Sequence, residues 1–63
     1  MTRFLEIWYR EKLVRVVDSE KYSWFVNTKN GGLRVRIVEK ETGKDEQIFI
    51  SDGMARQFEG EPQ

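Results

Sequence analysis

Three features of this 63-residue chain predict an all-β fold. Residues 22–28, 33–41 and 46–51 are short runs rich in β-branched and aromatic side chains. Glycine-bearing turns, Lys29-Asn30-Gly31-Gly32 and Thr42-Gly43, separate them. Within each run apolar and polar residues alternate with a period of two, the signature of a strand with one face buried. The expected architecture is one small domain over residues 1–59, a five-stranded antiparallel meander or small barrel of the SH3-like or OB-like kind, with residues 60–63 as a frayed tail around Gly60 and Pro62. Closure into a barrel would remove exposed strand edges.

The first two strands are expected over residues 4–9 and 13–17, joined near Arg10-Glu11. Valines and aromatics favour strand here, and this register sets Glu6 against Arg15 and Arg3 against Asp18. The competing reading is an N-terminal helix followed by a three-stranded meander, because Leu5, Trp8, Tyr9, Leu13 and Val16 lie near helical spacing.

Asn30-Gly31 is the strongest local signal, because both residues tolerate the positive φ that a type I′ hairpin requires. With that central pair, Thr28 faces Leu33, Val26 faces Val35 and Trp24 faces Ile37 on the core side. Phe25 then faces Arg36, and Asn27 faces Arg34, on the other side. A second turn centred on Thr42-Gly43 sets Ile37 against Ile48, Val35 against Ile50, Lys40 against Asp45 and Arg36 against Phe49. Ser51-Asp52 can cap a short helical turn over residues 53–58, with Met54 and Phe58 four apart on one stripe. Trp8 and Trp24 both read as core.

A chain this short buries only about 60% of its unfolded surface. It has no cysteine for disulfides, so association with a second copy is the expected route to added stability. The absence of cysteine and of a long apolar segment leads to an expectation of a cytoplasmic, non-membrane protein. Eleven basic and eleven acidic residues balance, yet residues 1–36 carry a net +4 and residues 37–63 a net −4. That asymmetry suggests a basic working surface, unless folding interleaves the halves.

With no histidine or cysteine, the chain lacks the commonest acid–base and metal-ligating side chains, and no phosphate-binding glycine loop is present. The acidic residues Glu39, Glu41, Asp45 and Glu46 read as solvated charge around a turn. No enzymatic activity, cofactor or metal is expected. The sharpest constellation is the row Phe25–Arg36–Phe49, two rings flanking a guanidinium on one sheet face. Rings stack on bases and cations contact phosphates in proteins that bind single-stranded nucleic acid. Phe25, Arg34, Arg36, Phe49, Arg15 and Lys29 are therefore the candidate contacts to DNA or RNA. The bland alternative packs Phe25 and Phe49 against other strands or a second subunit, with Arg36 lying over them. A second functional class is a protein-binding regulator or inhibitor that uses the sheet face or a strand edge.

Overall fold

The computed structural model describes residues 2–60, and they are all β apart from turns. Six strands follow one another: β1 (Arg3–Tyr9), β2 (Lys12–Asp18), β3 (Tyr22–Lys29), β4 (Gly32–Glu39), β5 (Asp45–Ser51) and β6 (Gly53–Glu59). They form two antiparallel three-stranded sheets, ordered β2–β1–β6 and β3–β4–β5. The core lies between the two central strands. Leu5 and Ile7 of β1, with Val17 of β2, meet Leu33, Val35 and Ile37 of β4, and all six are buried. Tyr22, Trp24, Val26, Ile48, Ile50 and Ala55 pack around them.

The N-terminal segment is a hairpin and not a helix. Arg10 takes φ 55° in its turn, although neither turn residue is a glycine or asparagine. Its register departs from the expected one because of a bulge. Trp8 pairs with Leu13 but Ile7 pairs with Arg15, leaving Val14 as the extra residue. Glu6 therefore faces Val16, and Phe4 faces Asp18. Arg15 moves to the face of Ile7, the inner one, and reaches across to β5, where its Nη1 lies 2.5 Å from Glu46 Oε2. Trp8, expected in the core, stands on the outer face of β1, half-buried, with its Nε1 donating to Glu6 Oε1 at 3.3 Å.

The β3–β4 hairpin has the expected register, with Asn30 and Gly31 at φ 55° and 74°. The β4–β5 connection differs by two residues. Its loop spans residues 40–44, closed by Glu39 N to Lys44 O at 2.9 Å and Gly43 N to Glu39 O at 2.8 Å. Consequently Arg34, not Arg36, faces Phe49, while Val35 faces Ile48, Leu33 faces Ile50 and Ile37 faces Glu46. A two-residue slip keeps every side chain on its expected face and changes only its neighbour.

The barrel and the C-terminal helical turn are both corrected. Residues 53–59 form a sixth strand that pairs along the whole of β1, from Arg3↔Glu59 to Tyr9↔Gly53. Met54, Arg56 and Phe58 also alternate, and a ladder on an open strand outweighs one or two turns of helix, whose nucleation is costly. Asp52 caps no helix. At φ 60° it is the single residue between β5 and β6, and its N–H donates to Gly31 O at 3.0 Å. That short link carries the chain from one sheet into the other, so β5 and β6 do not pair and the structure is a two-layer sandwich with open edges. The expected tail at 60–63 falls largely outside the described residues. Gly60 itself is tied to the N-terminal end by its N–H to Thr2 O at 3.0 Å. Among the described residues no helix is long and apolar enough to cross a membrane.

Candidate nucleic-acid interface

Alternation along β4 buries Leu33, Val35 and Ile37 and turns Arg34 and Arg36 outward. Cross-strand partners share a face, so each outward residue of β4 stands in a row of three. One row is Asn27–Arg34–Phe49 and the next is Phe25–Arg36–Gln47. Beyond the first lies Lys29–Gly32–Ser51. Four of the sequence-predicted residues, Phe25, Arg34, Arg36 and Phe49, thus share one face, but the two rings sit on a diagonal and not in one row. From strand and residue spacings their Cα atoms lie about 12 Å apart. Lys29 belongs to the same face, and Arg15 does not: it belongs to the other sheet and is engaged by Glu46.

Both rings are open to solvent, Phe25 at 62% and Phe49 at 64% of full exposure. Phe49 nevertheless has a defined seat. Gly32 lies under it, and a Cβ there would come within 2.9 Å of Phe49 Cζ and 3.1 Å of Cε2. The ring covers that backbone, which is why Gly32 is buried on an otherwise open face. The Arg34 guanidinium carbon is 5.9 Å from the ring centroid, within cation–π range. Asn27, Lys29, Asn30, Gly32, Arg34 and Phe49 line a depression of about 400 Å³.

The two arginines are electrostatically different. Arg36 Nε donates to Asp45 Oδ2 at 2.7 Å, and its Nη2 lies 2.5 Å from the same oxygen. That hydrogen bond, with the attraction of the two charges, raises the Arg36 pKa above its already strongly basic value. Arg34 and Lys29 form no ion pair among the described residues, where the pairs are Arg15–Glu46 and Arg36–Asp45. Both pairs join the basic half of the sequence to the acidic half, so folding interleaves the charge asymmetry. They also occupy Asp45 and Glu46, and no acidic cluster among the described residues is arranged to hold a metal ion.

The face therefore offers the exposed ring of Phe49, two cations without an ion pair among the described residues and two amide side chains around one shallow depression, with the ring of Phe25 further along the same face. Rings receive flat π-systems, cations receive anions, and the amides of Asn27 and Asn30 both donate and accept hydrogen bonds. Asn30 and Gly32 were not candidates from the sequence. Asn30 carries a turn signal that masks any contact role, and Gly32 becomes meaningful only once the β4–β5 register seats Phe49 on it. The chain matches no family model, no curated protein and no solved structure.

Proposed function

We infer that the outer face of β3–β4–β5 binds single-stranded nucleic acid. The observation that carries this reading is Phe49, an exposed ring seated on Gly32 with the unpaired Arg34 beside it. A base stacking on that ring leaves its phosphate near Arg34 and Lys29, while Phe25 stacks a base further along the strand. Arg36, neutralised by Asp45, fixes the surface between the rings and contributes little net charge. With two free cations the salt dependence is modest. For single strands the slope of log K against log salt is about −0.7 per phosphate contact, so two contacts give about −1.4.

Fluorescence anisotropy with short labelled DNA and RNA oligonucleotides tests this. Affinity is expected to fall about sevenfold between about 50 mM and 200 mM salt. Phe49→Ala is expected to cost about 1–3 kcal/mol of binding without unfolding the domain. Folded protein that binds neither oligonucleotide at about 50 mM salt, where the electrostatic contribution is strong, sinks the reading.

A further inference from the structure

The outer face of the other sheet is built differently. Its rows are Leu13–Trp8–Met54, Val16–Glu6–Arg56 and Asp18–Phe4–Phe58. Leu13 and Val16 are exposed, Met54 is 62% exposed, and Trp8, Phe4 and Phe58 are half-buried. Phe4 and Phe58 stack with centroids 5.5 Å apart. Asp18 is already used, its Oδ1 accepting the backbone N–H groups of Glu20 and Lys21. One opposite-charge couple, Glu6 and Arg56, sits at the centre of this apolar field. The two are cross-strand partners, yet no ion pair between them forms within the chain.

We propose that this face is the interface of a homodimer in which Glu6 of each copy pairs with Arg56 of the other. The symmetry follows from the register. A two-fold axis lying in the interface, parallel to the strands and midway between β1 and β6, sets β1 of one copy over β6 of the other. Glu6 then faces Arg56 twice, Trp8 faces Met54 twice, and Phe4 faces Phe58 twice. The same patch serves both copies, as an isologous interface requires. Leu13 and Val16 on β2 overhang and flank the contact.

The size fits a weak, specific dimer. Two overlapping strands of seven residues bury on the order of 400–500 Å² per copy, close to the lower bound of about 1,000 Å² in total for specific interfaces. Among the described residues six side chains form the buried core, so a second apolar layer adds a large share of stabilising contact. The β3–β4–β5 face does not fit the same partner, because its unpaired charges, Arg34 and Lys29, are both positive.

Analytical ultracentrifugation from micromolar to submillimolar concentration is the test, with circular dichroism to confirm folding. The wild-type protein is expected to be a dimer. Glu6→Arg and Arg56→Glu are each expected to weaken association about tenfold or more, since each sets like charges across the interface. An equimolar mixture of these two variants is expected to recover a one-to-one dimer, because the introduced charges then face their opposites. Met54→Glu is expected to dissociate the dimer and Phe49→Ala to leave it intact. A wild-type protein that stays monomeric throughout overturns the proposal, and so does failure of the mixture to associate. Should either charge variant fail to fold, dissociation by Phe49→Ala and not by Met54→Glu overturns it equally.

Discussion

The two sheets are alike inside and unlike outside. Each contributes three fully buried aliphatic side chains, Leu5, Ile7 and Val17 from one and Leu33, Val35 and Ile37 from the other. Outside, β2–β1–β6 gathers its apolar residues into contact, with Phe4 stacked on Phe58 and Trp8 flanked by Leu13 and Met54. On β3–β4–β5 the rings are dispersed, Phe25 opposite Arg36 and Phe49 opposite Arg34. Period-two alternation produces both sheets, but the grouping of the outward residues decides what each can meet. Apolar rows set on either side of one opposite-charge couple suit another protein surface. Isolated rings interleaved with cations suit a flat, anionic chain.

The largest expected effects test the likeness. Ile7→Ala and Leu33→Ala are each expected to cost about 2–5 kcal/mol of stability, read from the urea midpoint. Tolerance of one and not the other would break the equivalence of the two inner faces. Next, Phe58→Ala is expected to lower stability by about 1–2 kcal/mol through loss of its stack on Phe4, with oligonucleotide affinity unchanged. Phe49→Ala is expected to do the reverse, so melting curves and anisotropy together separate the two outer faces.

Smaller effects distinguish the arginines. Arg34→Ala is expected to flatten the salt slope by about 0.7, and Arg36→Ala to leave it nearly unchanged because Asp45 already answers that charge. Asp45 raises the Arg36 pKa, so any stabilisation from that pair is fully present below the usual arginine range and lost only as pH climbs through the raised value. The difference in stability between wild type and Arg36→Ala is therefore expected to be flat through neutral pH; a step there would show that another group is involved. A small stability change is expected for Gly32→Ala, within about 1 kcal/mol of wild type, since the clashing atom is the far end of an exposed ring. The ring must nevertheless move, so ring-proton chemical shifts of Phe49 and oligonucleotide affinity are expected to change.

Much of the β3–β4–β5 sheet was legible because its information is local. Asn30-Gly31 fixes one turn type, and that turn fixes eight pairs from Tyr22↔Glu39 to Lys29↔Gly32. Strict alternation then places Phe25, Arg34 and Arg36 outward, and Phe49 joins them in any register shifted from the expected one by an even number of residues. Which arginine meets Phe49 was not legible, because it depends on a five-residue loop held by Thr42, Gly43 and Glu39 and not on a two-residue turn. The bulge at Val14 carries no marker among β-formers; it turns Arg15 inward towards Glu46, on a strand that already lies in the other sheet, away from the site. The segment after Asp52 fits both a helical stripe and an alternating strand. Only the free edge of β1, a tertiary fact, decides between them.

That edge gives the chain a clasp. Three of the four pairings join strands adjacent in sequence, and β1 with β6 is the exception, tying Arg3 to Glu59. A hairpin and a three-stranded meander can each zip locally, while the last strand must close a loop spanning nearly the whole chain, where the entropic cost of closure is highest. Native-state hydrogen exchange is expected to show β6 less protected than β4. When β6 lifts away, Asp52 is its hinge, and β1 is left with an unpaired edge directly beside Leu5 and Ile7. A strand from another molecule can add at that edge, so brief opening of the clasp is the route by which this small sandwich would exchange strands or begin to aggregate.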